Sequence, residues 1–168
     1  DLFRKLTYTI DGDPNSDNYH YSGATSYEGY SLEVIRSNTY NLGSGGYIYG
    51  AGPGNDTMWG GYYGDNLYGN DGNDSLSGQD GDDNLFGGRG NDFLFGGSGY
   101  NSIEGGDGQD YIEVGEDGYA NGGAGHDTIY GALNGGYSIY GEKGNDLIYG
   151  SDYYEYAYGG AGNDTVYA

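Results

Sequence analysis

Residues 56–110 read DTMWGGYYGDNLYGNDGNDSLSGQDGDDNLFGGRGNDFLFGGSGYNSIEGGDGQD. An acidic or amide residue returns every nine positions, and an apolar residue always follows it by two. The acidic series is Asp56, Asp65, Asp74, Asp83, Asp92, Asn101 and Asp110, and the apolar series is Met58, Leu67, Leu76, Leu85, Leu94, Ile103 and Ile112. Repetition this regular is typical of repeat architectures, in which each unit stacks on its neighbours.

The repeating unit has the form Gly-Gly-x-Gly-x-Asp-x-apolar-x and continues beyond this stretch to the end of the chain. Residues 87–95, 122–130 and 159–167 fit it at every position. Glycine allows the positive φ angles of a tight turn, and the last three residues predict a short strand whose middle residue points inward. Two units would then form one coil of about eighteen residues, and stacked coils would pair strand on strand.

Taking the aspartates every eighteen residues separates them into two columns, one at each edge of the predicted stack. The first column is Asp56, Asp74, Asp92, Asp110, Asp127, Asp146 and Asp164. The second column is Asp65, Asp83 and Asn101, followed by no acid around Tyr119, then Tyr137 and Glu155. The first column therefore persists along the chain, whereas the second loses its acids after two coils.

Stacking places each aspartate beside the aspartate of the next coil, so that carboxylates and turn carbonyls face one gap. Such an all-oxygen environment suits a hard cation of the size of calcium. We expect about six Ca²⁺ ions along the first column and one or two beside Asp65 and Asp83. The alternative for each aspartate is a turn residue that bonds its own backbone, and for Asp65 and Asp83 both interpretations stay open.

The repeating unit resembles the nonapeptide of the RTX family of calcium-binding β-rolls. The resemblance begins near Gly50 and covers the rest of the chain. It implies an all-β fold, a right-handed parallel β-roll or β-solenoid of about seven 18-residue turns over residues 47–168, with calcium as the bound metal.

Residues 1–46 differ from the repeats. Alternating apolar residues over 2–10 and 32–35 predict two strands, with a turn-rich segment after the first. We expect a small β cap for the solenoid, since repeat arrays need capped ends. The alternative is a contact surface for an acidic neighbour, because Arg4, Lys5 and Arg36 lie in this segment.

Composition excludes several classes of function. A net charge of -21 disfavours nucleic acid and anionic lipid as partners, and no apolar run approaches the roughly 18 residues that a membrane span needs. The absence of cysteine excludes disulfides and thiolate metal sites. His20 and His126 are far apart in sequence, and the paired carboxylates all belong to the repeat, so we predict that the chain is not an enzyme.

The outward strand positions carry many aromatic residues, and a perfect unit ends one residue before Ala168 without a polar cap. Exposed aromatic ladders and open strand edges favour self-association, lateral or head-to-tail. The first hypothesis is therefore a secreted structural solenoid that builds an extracellular filament, surface layer or matrix. The alternative is a carbohydrate-binding or cell-surface-binding module of a larger RTX adhesin or extracellular enzyme.

Ice binding is a third hypothesis, since a branch of RTX adhesins has a similar one-edged calcium pattern. In that branch the third position of the repeating unit is threonine, so that stacked units present a regular row of threonines. The corresponding row here is Pro53, Asp71, Arg89, Asp107, Ala124, Lys143 and Ala161. This irregular row counts against ice binding.

Overall fold

A computed structural model describes residues 26–27, 30–31, 39–43, 48–51, 53–131, 138–150 and 156–167. The segments at 2–10 and 32–35, predicted as strands, lie outside these ranges, as do Tyr137 and Glu155. The cap over residues 1–46 and the boundary at residue 47 stay predictions. Within that segment, β1 (Ser26–Tyr27) and β2 (Tyr30–Ser31) form an antiparallel pair, and β3 (Thr39–Gly43) joins the large sheet described next.

Two parallel sheets make up the rest of the described structure. The eight-stranded sheet contains β3, β5 (Thr57–Gly61), β7 (Ser75–Asp80), β9 (Phe93–Ser98), β11 (Tyr111–Glu113), β13 (Thr128–Tyr130), β15 (Leu147–Tyr149) and β17 (Thr165–Tyr167). The seven-stranded sheet contains β4 (Ile48–Gly50), β6 (Asn66–Asp71), β8 (Asn84–Arg89), β10 (Tyr100–Asp107), β12 (Asp117–Ala124), β14 (Ser138–Lys143) and β16 (Tyr156–Ala161). Successive strands alternate between the sheets, which confirms the predicted all-β parallel solenoid.

The strand register follows the eighteen-residue period. Thr57 pairs with Ser75, and Ser75 pairs with Phe93. The period shortens by one where Tyr111 pairs with Thr128 and lengthens by one where Thr128 pairs with Leu147, so the register recovers at once. The described residues form no helix, and so none that is long and apolar enough to cross a membrane.

The core holds about one apolar side chain from each strand, all of them almost completely buried. These residues are Met58, Leu67, Leu76, Leu85, Leu94, Ile103, Ile112, Ala120, Ile129, Ile139 and Ile148. In β8 and β13 the residues on either side of the core residue are only partly buried, as the pleat of a strand requires. Each large side chain contributes about 2 kcal/mol by leaving water, so the core is narrow but continuous along the stack.

Glycine is required where consecutive coils touch through their turns. Gly108 adopts φ +149°, and a Cβ added there would overlap the carbonyl oxygen of Gly90 one coil earlier. The turn of one coil therefore lies directly on the turn of the next. A side chain at this place would force the two coils apart.

We expect Gly108→Ala to lower the free energy of unfolding in saturating calcium by about 2 kcal/mol or more, because both the φ angle and the close contact oppose a side chain. Urea unfolding followed by circular dichroism measures the change. Gly50→Ala is the matched control, since its added Cβ would meet only the Asn70 side chain at 3.5 Å. Equal losses in the two variants would contradict the steric explanation.

Candidate metal centres

The turns carry the repeated aspartates to the two edges of the solenoid, as predicted. Aspartates of the first column precede strands of the eight-stranded sheet: Asp56 precedes β5 and Asp74 precedes β7. Asp65 and Asp83, in the second column, precede β6 and β8 of the other sheet. These carboxylates are almost fully buried, with 0 to 2% of each residue exposed, although aspartate normally lies at the surface.

One carboxylate oxygen of each first-column aspartate from Asp74 to Asp164 joins two coils. Asp92 Oδ1 accepts a hydrogen bond from the backbone N–H of Asp74 at 2.7 Å, and Asp110 Oδ1 accepts one from Asp92 at 2.8 Å. The same bond recurs, at 2.7 to 3.0 Å, at Asp74, Asp127, Asp146 and Asp164. The predicted adjacency of aspartates eighteen residues apart is therefore confirmed. Their partner is the backbone of the neighbouring coil and not their own turn.

The second carboxylate oxygen has no hydrogen-bond donor in much of the first column. The buried Oδ2 atoms without one include those of Asp74, Asp92, Asp110, Asp127 and Asp146. Asp92 Oδ2 and the carbonyl oxygen of Gly105 lie so close to Gly87 that an added Cβ would collide with both. Two acceptors thus face one another across the coils. A buried acceptor without a donor costs about 1–3 kcal/mol, and more when it is charged.

Burial makes these carboxylates hard to ionise when no cation is bound. Burial raises the pKa of Asp110 to about 7 and those of Asp74 and Asp127 to about 6, against a hydrogen bond from the neighbouring backbone that lowers each. The pKa values of Asp92 and Asp146 are raised for the same reason. A bound cation would reverse this effect, because it favours the charged form.

The available ligands fit a hard cation. Across the part of the chain that the structure describes, no point gathers three His, Asp or Glu side chains. Carboxylate and backbone carbonyl oxygens lie near one another at these turns, as Asp146 Oδ2 and Gly159 O do beside Gly141. Calcium accepts six to eight oxygen ligands, including carbonyls, in flexible geometry, whereas zinc prefers nitrogen and sulfur. The donor set therefore suits calcium.

The second column is less uniform. Asp65 and Asp83 are linked like the first column, since the Asp65 N–H donates to Asp83 Oδ1 at 2.7 Å. Asp83 Oδ2 is buried without a donor, and burial raises the pKa of Asp83 to about 6. Asp65 Oδ2 instead accepts a bond from the N–H of Gly61 at 2.9 Å. Asp83 therefore reproduces the first-column arrangement more closely than Asp65 does.

Sequence reasoning missed a second ladder beside the first column. Asn55 Oδ1 accepts from the N–H of Asn73 at 2.9 Å, and Asn73 Oδ1 accepts from Asn91 at 2.8 Å. His126 occupies this row and is exposed, and its Nδ1 accepts a hydrogen bond from the N–H of Asn145 at 2.7 Å. The eighteen-residue recurrence of asparagine before aspartate was the signal that could have revealed this row.

Comparison with known proteins supplies one match. A family model described as the RTX calcium-binding nonapeptide repeat (4 copies) matches residues 51–62, 59–94, 86–118, 119–134 and 140–168. The searches of curated proteins and of solved structures each return no match. The matched segments together cover well over half of the chain and include every aspartate of both columns.

Proposed function

Since the chain belongs to the RTX calcium-binding nonapeptide repeat family, we propose that it is a secreted, calcium-stabilised structural solenoid that self-associates into an extracellular filament, layer or matrix. Calcium binding by the repeats follows from the family, and RTX repeat proteins are typically extracellular or secreted. We also propose that the chain has a structural and not an enzymatic role in this filament, layer or matrix.

In this proposal the calcium ions bind between coils. The first-column aspartates Asp56, Asp74, Asp92, Asp110, Asp127, Asp146 and Asp164 would hold about six ions, and Asp83, with Asp65, would hold one or two more. When bound, each ion supplies the positive charge that the facing carboxylate and carbonyl oxygens lack. About six ions would reduce the net charge from -21 to about -9, which lowers repulsion between coils and between copies of the chain.

A contiguous row of rings on the outer face of the eight-stranded sheet, exposed at its two ends and partly buried between them, supports the proposal of self-association. We call this row the aromatic strip; its residues are Phe93, Phe95, Tyr111, Tyr130, Tyr149 and Tyr167. Neighbouring rings touch across the strands, with centroids 5.4 Å apart for Tyr111 and Tyr130 and 4.7 Å apart for Tyr130 and Tyr149. Phe93 and Tyr167, at the two ends, are 52% and 56% exposed. The strip crosses five strands, or about 19 Å of flat sheet.

Exposed, contiguous apolar surface of this kind favours an interface. The strip is uncharged apart from the neighbouring Glu113, and it lies on a sheet whose strands are aligned and regular. Two copies can bury the same strip against each other in a self-complementary contact, which joins chains in pairs, and a filament also requires a second, head-to-tail contact. Because both copies are strongly acidic, we expect the contact to form only after calcium has reduced their charge.

Carbohydrate binding is the second candidate function. A shallow groove on the strip is lined by three of its rings, Tyr111, Tyr130 and Tyr149, together with Glu113. The Glu113 carboxylate can accept hydrogen bonds from sugar hydroxyls. Against it, the rings of Tyr130 and Tyr149 stack on each other with an interplanar angle of 7°. Each of these rings therefore covers one face of the other. Self-association therefore takes precedence.

Sedimentation velocity in millimolar calcium tests the proposal. We expect concentration-dependent assembly, and we expect Phe93→Ser combined with Tyr167→Ser to raise the apparent dissociation constant of self-association at least about tenfold. Tyr62→Ser combined with Tyr63→Ser is the matched control, because those rings are 70% and 61% exposed but lie outside the strip.

A chain that stays monomeric at all concentrations in calcium would contradict self-association. Binding of that monomer to immobilised glycans, lost on Glu113→Gln, would then support the second candidate. Electron microscopy of the assembled sample separates filaments from closed dimers.

A further inference from the structure

Asn101 stands where the second column would otherwise have its third aspartate. The residue is completely buried. It lies two residues before the core residue Ile103 of β10, as Asp83 lies two residues before the core residue Leu85 of β8. Its strand partner in the next coil is Gly118, which has no side chain to continue the column. Asn101 is therefore the last polar side chain of this column among the described residues.

The orientation of the Asn101 amide is set by its neighbour. The backbone N–H of Asp83 donates to Asn101 Oδ1 at 3.1 Å, as the N–H of Asp65 donates to Asp83 Oδ1. A donor cannot bond to the NH₂ end of an amide. The oxygen of Asn101 thus repeats the inter-coil bond of the aspartates, and its nitrogen takes the place of their second oxygen.

That nitrogen faces backbone carbonyls. Asn101 Nδ2 lies 3.3 Å from Val114 O and 3.5 Å from both Gly97 O and Gly99 O. A Cβ added to Gly96 would collide with both Val114 O and Asn101 Nδ2. At this place, therefore, a hydrogen-bond acceptor lies beside a donor. Around Gly87 in the first column the same place holds Gly105 O and Asp92 Oδ2, an acceptor beside an acceptor.

We propose that the side-chain amide nitrogen of Asn101 replaces calcium at this level of the second column, so that the joint between its coil and the next closes without metal. The inference rests on the proposed binding of calcium by the aspartate columns. The nitrogen donates to Val114 O, the counterpart of the Gly105 O that lies beside Asp92 Oδ2 in the first column. Gly97 O and Gly99 O also accept the backbone N–H groups of Glu116 and Asp117. Among the described residues no buried carboxylate remains at this joint to need a counter-charge, since the neighbouring Glu116 is exposed and accepts the N–H of Gly99 at 3.1 Å.

The next level of the edge supports the same conclusion. Val114 stands at the first position of the following unit, where glycine is usual, and its side chain is completely buried in the apolar core. Going along the column, Asp83 is followed by Asn101 and then by Gly118, which has no side chain. The edge therefore changes from ionic to metal-free contacts at Asn101, while the first column continues with Asp110 and Asp127.

The variant Asn101→Asp tests this replacement. It converts the donor that faces three carbonyls into a carboxylate oxygen, and so recreates the first-column arrangement. We expect native mass spectrometry to count one more calcium ion per chain than in the unchanged protein. In a calcium titration the variant should need a higher calcium concentration to fold than the unchanged protein, and in saturating calcium the two should unfold at similar urea concentrations.

Ser77→Asp is the matched control. It adds the same charge at an outward position of β7, and we expect no additional ion. If the unchanged protein binds several ions and Asn101→Asp binds the same number, the inference is wrong while calcium binding stands. If the unchanged protein binds none, the proposed function itself fails. A failure of Asn101→Asp to fold in calcium also overturns the inference, because the added ion is expected to restore the joint.

Discussion

Removal of calcium by a chelator at neutral pH is expected to convert the solenoid into an expanded, unfolded chain. Buried carboxylates such as Asp74 and Asp110 face carbonyl oxygens with no donor between them, and the net charge is -21. The narrow core cannot offset this repulsion, so metal binding and folding should be one event. We expect loss of the β-sheet signal in circular dichroism and at least about a twofold increase in radius of gyration.

Two controls separate specific binding from charge screening. Magnesium at the same concentration should not restore the fold, because it is smaller and keeps its own water ligands. Sodium chloride at about 0.5 M screens surface charges over a few ångströms but leaves the buried acceptors unsatisfied, so it should not restore the fold either. An unchanged spectrum in chelator, or full recovery in sodium chloride, would show that the columns do not need calcium.

The pH dependence of stability should have opposite signs with and without calcium. Without metal, burial raises the pKa of Asp110 to about 7 and those of Asp74, Asp83 and Asp127 to about 6, from a model-compound value of 3.8. A carboxyl whose pKa is higher in the folded state stabilises that state when protonated. This contribution is fully present below about pH 4 and is lost as the pH rises through 6 to 7.

With calcium the order reverses, since the ion binds only the ionised carboxylate and protons compete with it. The metal-free chain should therefore gain β-sheet signal when it is acidified from pH 7.5 to about pH 4.5, whereas the calcium-bound chain should lose stability over the same range. Circular dichroism and urea unfolding at a series of pH values, at low protein concentration because the isoelectric point is near 4.1, measure both trends.

The variant Asp110→Asn is the control for this pH dependence. It retains an oxygen to accept the N–H of Asp92 but removes the carboxyl with the highest of the raised pKa values. The metal-free gain on acidification near pH 7 should become smaller in this variant. A metal-free chain that loses structure steadily between pH 7 and 4.5 would contradict the argument.

The repeat spacing was sufficient to predict the parallel solenoid, because glycine, aspartate and the apolar residue each have one physical task that recurs with the coil. It also predicted that Leu85 and Leu94 point inward and that aspartates eighteen residues apart meet. The spacing could not distinguish Asp65 from Asp83. Both occupy the same place in the motif. They differ because the backbone N–H of Gly61 donates to Asp65 Oδ2, whereas Asp83 Oδ2 has no donor.

The role of Asn101 was also beyond the reach of sequence reasoning. In the sequence, Asn101 simply marks the point at which the second column stops carrying aspartate. Its significance depends on the direction of its amide and on the carbonyls of Gly97 and Val114, which come from two different coils. Such contacts are set by the stacking of coils and not by the motif.

The alternation of strands between the two sheets has a mechanical consequence. Within the two parallel sheets of the described residues, each strand bonds only the strands one coil before and one coil after it, and the strands run across the long axis of the stack. Tension applied along that axis would therefore peel coils away one at a time instead of shearing a whole sheet. Each step would release about eighteen residues, or roughly 60 Å of slack chain, together with any calcium held at that joint. A fibre built from such units would lengthen in increments under load and could rewind, coil by coil, when the load falls and the ions return.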